Sequence, residues 1–300
     1  MKIHIAAKGT YFEYYGRALA HEFGLLGHEV ILATRDTWEL DRVEADMHVI
    51  VSPNVYTLED MQALPGYKVA ILTEQVPHIG FAENEETLKR FKVFERFAPV
   101  FNKFVEWSAA NAEYMMRESG RHLGSDGFIV FPHGYIERKI QFPMWDTKWD
   151  VCFVGDVSRS PRRQAILSML RRNEVTVCPY HEDVWRSRKD QIFRQSRLVL
   201  NLHFSEDIAS FEAHRLCDIA PLCRPIVSEL MNEPPDTTSN FVLQTNADCM
   251  PDMIRWLLND GRGKNTDYHL AKYYGQGLRH HLKTRFPISK LAAQICECLN

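Results

Sequence analysis

Short apolar runs recur along the chain with helix-like segments between them. KIHIAA, EVILAT, MHVIVS, KVAILT, KFVEWS and GFIVFP fill the first half; DVCFVG, EVTVCP, RLVLNLH, RPIVSE and NFVLQ fill the second. The runs are apolar throughout instead of alternating with polar residues, which marks strands covered on both faces, as in a parallel sheet. Glu13 to Leu26 has helical spacing through Tyr15, Leu19 and Phe23, with Gly24 and Gly27 bracketing its end. YTLEDMQAL, Glu85–Phe97 and Ala109–Ser119 read as further helices, and in the second half so do Arg159–Arg172, Glu182–Gln195, Ser210–Ala220 and most of the chain beyond Asn246. The expected class is therefore α/β.

The alternation stops once. GYIERKIQFPMWDTKW, Gly134 to Trp149, has no period, carries Pro143 and reads as a connector. The 300 residues then divide into a domain over 1–134, a linker over 135–149 and a domain over 150–300. The last helix either stays with the second domain or crosses back to the first. Two doubly wound, Rossmann-like domains are expected, with a ligand in a cleft faced by the carboxyl ends of both sheets.

A net charge of −3 gives no bulk reason to bind nucleic acid or an anionic membrane, so an anion site has to be local. The apolar run at the start is short for a secretory signal, and no window approaches a membrane span. The seven cysteines lie in the second half without a spacing framework, which reads as reduced thiols in a cytoplasmic protein. Cys296 and Cys298 lack zinc-pair spacing, no metal-ligand cluster stands out, and no cofactor is expected. His181-Glu182-Asp183 reads as a polar helix cap.

GDVSRSPRRQ offers local anion chemistry. Gly155 lets backbone approach a ligand, Ser158 or Ser160 can cap the helix, and Pro161 suits its first turn. Helix-end amides and the dipole attract an anion, and Arg159, Arg162 and Arg163 would clamp a phosphate. Neither a Walker loop nor a G-x-G-x-x-G fingerprint is present. In Asn201–Glu229, a strand ends at Asn201 and His203, and a helix presents Glu212, Arg215 and Asp218.

The paired halves resemble a GT-B glycosyltransferase. Asn201, Arg215-Leu-Cys-Asp218 and Cys223-Arg-Pro225-Ile-Val-Ser-Glu229 are similar to the C-terminal domain of the spore-maturation-type, glycosyl transferase group 1 family. The segment from Phe153-Val-Gly155 to Arg162-Arg163 resembles that family's phosphate side, and Pro132-His-Gly-Tyr135 its "P-N-G-V" segment. The chain departs from the family at Asp218, where a ribose-contacting glutamate is usual, at Cys223, where glycine is usual, and at Ser210, where a paired glutamate is usual.

The resemblance implies a metal-independent transfer of sugar from a nucleotide-sugar donor to an acceptor hydroxyl, of open stereochemistry. The acceptor would be a glycan or small molecule, a nucleic acid being disfavoured by the charge. Gly155, Ser158, Arg159, Arg163, Asn201, His203, Glu212, Arg215 and Asp218 would bind donor, with Arg159 also stabilising the leaving diphosphate. Gly9, Thr10, Glu13 and His78 would lie on the acceptor side. Glu74 would serve as base in an inverting route, and His133 would contact phosphate or sugar. A non-catalytic nucleotide-sugar-binding protein and a nucleotide-sugar epimerase remain the alternatives.

Overall fold

The computed structural model describes residues 1–34, 43–76, 85–119, 125–138, 147–182, 184, 186–204, 212–230, 238–259 and 267–299. It divides into two units, Met1–Gly134 with Phe286–Asn300, and Tyr135–Arg285. Residues 135–149 group with the second unit instead of standing apart, and the last fifteen residues group with the first, one of the two placements expected for the last helix.

The first unit runs β1 (Lys2–Ala6), α1 (Thr10–Leu25), β2 (Glu29–Ala33), β3 (Met47–Val51), α2 (Leu58–Ala63), β4 (Tyr67–Ile71), α3 (Glu85–Phe97), β5 (Lys103–Glu106), α4 (Ala109–Glu118) and β6 (Phe128–Val130). Its six strands are all parallel, in the order β2-β1-β3-β4-β5-β6. Parallel pairing explains the continuous apolar runs: β3 is buried at every position. Phe91, Phe94, Phe97, Phe104, Tyr114 and Phe128 pack with Ile50 and Met61 into one core cluster. Helix α1 begins three residues earlier than its apolar period indicates, because Gly9, at φ 101°, turns the chain out of β1.

The second unit runs β7 (Trp149–Cys152), α5 (Pro161–Arg172), α6 (Arg186–Arg194), β8 (Ser196–Asn201), α7 (Ala213–Ile219), β9 (Ile226–Glu229), β10 (Leu243–Thr245), α8 (Met250–Asn259) and α9 (Asp267–Arg285). Helix α10 (Ile288–Glu297) then belongs with the first unit. The sheet order is β10-β9-β8-β7, all parallel. EVTVCP, expected as a full strand, contributes only a parallel bridge from Val177 to Val151.

That bridge decides where the functional loops fall. The chain leaves β7 toward Val177 on one side and returns to β8 on the other. The strand order therefore reverses between β7 and β8, the position in an open parallel sheet where ligands are held by the loops at the strands' carboxyl ends. In the first unit the reversal lies between β1 and β3.

Candidate functional site

The loop after β7, Phe153 to Ser160, and the segment after β8, Leu202 to Phe204, meet at the reversal in the second unit. Ser160 caps α5: its hydroxyl oxygen accepts from the Arg163 amide at 3.3 Å and donates to the Phe204 carbonyl at 2.7 Å. Pro161 takes the first helical position, where a missing N–H costs nothing. Gly155 sits where a Cβ would lie 2.9 Å from Phe153 Cζ and 3.3 Å from Arg215 Nη2, so only glycine lets the loop pass.

The three arginines of this turn have separate jobs. Arg163 is 4% exposed. Its Nε and Nη2 donate to the Leu202 carbonyl at 3.1 and 2.8 Å, and its Nη1 donates to the Asp156 carbonyl at 2.9 Å. The guanidinium lies over the Phe153 and Phe204 rings, at 4.9 and 5.3 Å. Burial, reinforced by Arg215, pushes its pKa down to about 10. Arg163 is thus a fastener between the two loops, which corrects its expected role as a direct phosphate clamp. Arg162 donates to the buried Glu229 carboxylate. Arg159 keeps 80% of its side chain exposed and pairs with Asp156.

Behind the loop, Glu212 lies between Arg215 at 2.6 Å and Arg163 at 3.4 Å. Burial alone would raise the Glu212 pKa, but the two guanidiniums outweigh it and hold it below the ordinary value. Arg215 Nη1 donates to Asn201 Oδ1 at 2.6 Å, and Asn201 Nδ2 donates to Ser228 Oγ at 2.9 Å. Glu229 Oε2 accepts the His203 amide at 2.7 Å. Breaking such a buried ionic group by removing one member costs several kcal/mol, so its geometry is fixed tightly.

Three consecutive amides of the loop already hold carboxylate oxygens. Val157 donates to Glu182 Oε1 at 2.6 Å, Ser158 donates to the same atom, and the Arg159 amide donates to Asp156 Oδ1 at 3.1 Å. Glu182, expected as part of a polar cap on the following helix, here caps this turn. Burial opposes ionisation of Asp156, but the Arg159 amide and guanidinium hold its pKa below the ordinary value.

The structure thus brings Gly155, Ser158, Arg159, Arg163, Asn201, His203, Glu212 and Arg215 into one network. Asp218 is a correction: its two oxygens accept from Arg138 Nη2, at 2.6 Å, and from Lys189. It forms a four-charge cluster with Arg138, Lys189 and Asp190 and does not offer a free acceptor for ribose. Glu229, Asp156 and Glu182 are the residues the sequence reading gave no role in binding. Glu229 had one usable signal, an acid ending an apolar strand at its carboxyl end.

In the first unit, the Lys8 amide donates to the Tyr56 hydroxyl at 2.8 Å and joins the loops after β1 and β3. Glu13 pairs with Arg17 at 2.6 Å. The backbone of Thr10 opens α1, while its side chain and all of His78 lie outside the described residues. Glu74 accepts from Asn54 at 3.3 Å and pairs with Arg90 at 3.4 Å. His133 is 9% exposed and stacks on Tyr15, ring centroids 4.2 Å apart, which gives it a packing environment inside this unit. Among the described residues, no group of three or more His, Cys, Asp or Glu could hold a metal ion, and no helix is long and apolar enough to cross a membrane.

No family profile matches the chain. Two uncharacterized proteins of Acanthamoeba polyphaga mimivirus are similar over 106 residues, 34% of this chain: L140 at 30% identity and L137 at 27%. The match spans 34% of the length of L140 and 14% of L137. Among solved structures, Anabaena Alr3699/HepE in complex with UDP-glucose is similar with a TM-score of 0.60 at 10% identity, over 100% of this chain and 99% of that one. TarM is similar with a TM-score of 0.58 at 10% identity, over 85% of this chain and 54% of that one. The glycosyltransferase SnogD of Streptomyces nogalater gives 0.51 at 13% identity, over 99% of both. The chain has the GT-B fold of these glycosyltransferases, built from two Rossmann-like units.

Proposed function

We propose that the chain is a glycosyltransferase that moves a sugar from a nucleotide-sugar donor to an acceptor hydroxyl, and that its second unit holds the donor. The observation that carries this reading is the Val157 and Ser158 amide pair, which shares one Glu182 oxygen at the β7/β8 reversal, with the Arg159 amide beside it on Asp156. Amides that hold a carboxylate there also suit the oxygens of a diphosphate. The complex of similarly folded HepE with UDP-glucose supports the choice of ligand class.

In this reading the acceptor oxygen bonds to the anomeric carbon as the bond from that carbon to the diphosphate oxygen breaks. Arg159 and the loop amides stabilise charge gathering on the leaving diphosphate, without a metal. Asn201, His203, Glu212 and Arg215 shape the sugar side, and Arg163 positions the loop. Gly9, Thr10, Glu13 and His78 serve the acceptor. The hydroxyl proton passes to Glu74 if configuration inverts, or to the departing phosphate oxygen if it is retained. The seven cysteines follow no disulfide-framework spacing, which supports a reducing, cytoplasmic setting.

The test is a thermal-shift screen against nucleotide sugars, followed by nucleoside diphosphate release over an acceptor panel. One nucleotide sugar raises the melting temperature by mass action, and release follows with some acceptor. Arg159→Ala loses both effects. No stabilisation by any donor defeats the proposal. Stabilisation without release assigns a binding protein instead, and an altered donor sugar without acceptor assigns an epimerase.

A further inference from the structure

The residues around the β7/β8 reversal balance in charge. Arg159, Arg162, Arg163 and Arg215 face Asp156, Glu182, Glu212 and Glu229, four guanidiniums against four carboxylates. A diphosphate brings at least two further negative charges to a centre that is already neutral. Three of the four carboxylates are fixed by cationic partners: Asp156 by Arg159, Glu212 by Arg163 and Arg215, and Glu229 by Arg162. Glu182 differs from them. It is exposed, and it is held by the Val157 and Ser158 amides with help from the Ser158 side chain, neutral donors in place of a guanidinium.

We propose that Glu182 is a built-in competitor for the donor: its carboxylate occupies the Val157–Ser158 amide pair that the diphosphate needs, and the donor binds by displacing it. This rests on the diphosphate reading above. The chain just before Glu182 is strapped to the end of β7. The Gly155 amide donates to the His181 carbonyl at 2.9 Å, and His181 Nδ1 lies 3.1 Å from the Phe153 carbonyl. With Nδ1 donating there, Nε2 is left to accept from Arg171 Nη2 at 3.2 Å. The strap keeps Glu182 close to the amides while leaving its side chain free to rotate outward. Rotation removes one negative charge from a balanced network and opens two donors together, so an anion gains both at the moment of entry.

A different role would have Glu182 brace the loop, and the two roles predict opposite signs. A brace, once removed, loosens the amides and weakens binding. A competitor, once removed, strengthens it. The experiment is calorimetric titration of the full chain and of Glu182→Gln and Glu182→Ala with inorganic pyrophosphate, and separately with UDP. Both variants are expected to bind pyrophosphate roughly twofold to fivefold more tightly than the parent, the span of an exposed charge interaction. Their melting temperatures should fall by a few degrees at most, the cost of losing a turn cap, so the sign of the affinity change separates the two roles. Equal or weaker affinity in the variants overturns the competitor and leaves the donor site standing. Absence of binding to pyrophosphate and UDP in all three proteins overturns the diphosphate reading, and the competitor with it.

Discussion

Replacing Arg163 by alanine separates the structural account from the one its sequence invites. If Arg159 and Arg163 were equivalent phosphate ligands, either truncation would lower donor affinity and leave stability alone. In the structure, Arg163→Ala strips the Leu202 carbonyl of two donors and the Asp156 carbonyl of one. It also leaves buried Glu212 with Arg215 as its one ion-pair partner in the network. Each buried acceptor left without a donor costs about 1–3 kcal/mol. Removing one member of a buried ionic group costs about 3–5 kcal/mol, and these losses overlap, so about 4 kcal/mol in all is a fair expectation. For a unit spanning Tyr135–Arg285, each kcal/mol moves the melting temperature by about 2–4 °C, so a fall of roughly 10 °C follows. Scanning calorimetry reads this directly, with Arg159→Ala as control, since an exposed arginine changes stability by less than about 0.5 kcal/mol. An Arg163→Ala protein that melts with the parent and merely binds pyrophosphate more weakly refutes the fastener.

Three further outcomes follow from local geometry. Cys223 is held left-handed at φ 52°, so Cys223→Gly should relieve strain and raise stability by about 0.5–1 kcal/mol in a urea titration; no gain would mean the turn is not strained. Gly155→Ala drives a Cβ against Phe153 and Arg215, costing about 1–3 kcal/mol and weakening pyrophosphate binding in the same titration. His4 and His48 are fully buried, with Nδ1 atoms 3.0 Å apart. Burial, then the neighbouring charge, lowers both pKa values from 6.5 to about 4. The unfolded chain therefore takes up protons first as pH drops, and stability falls between pH 6.5 and about 4 by up to about 1.4 kcal/mol per unit for each histidine. His4→Leu should flatten that slope, which melting curves across the window would show.

Much of the fold was legible because parallel strands, buried on both faces, announce themselves as unbroken apolar runs. EVTVCP misled for the same reason: it is apolar enough for a strand, yet its pairing with β7 is a single bridge at Val177, flanked by bonds at Thr176 and Cys178. The inward aim of Arg163 was also written in the chain. It leads the i, i+3, i+4, i+7 stripe of Ile166, Leu167 and Leu170, all buried, whereas Arg159 precedes the helix. Other partnerships left no local trace. Asp218 meets Arg138 from eighty residues away, and Glu182 reaches the loop from twenty-four, and neither distance is encoded in spacing along one element. Ser52, Asn54 and Glu74 likewise gather at one end of the first sheet only because β3 and β4 are neighbours.

The claim on which the account turns is that the Val157–Arg159 amides receive a donor's diphosphate. A crystal structure of the protein with UDP addresses it without intermediaries. The account predicts phosphate oxygens within hydrogen-bond distance of those amides, the Arg159 guanidinium turned from Asp156 toward them, and the Glu182 carboxylate displaced. Well-defined UDP bound elsewhere, with Glu182 still on Val157 and Ser158, would contradict it.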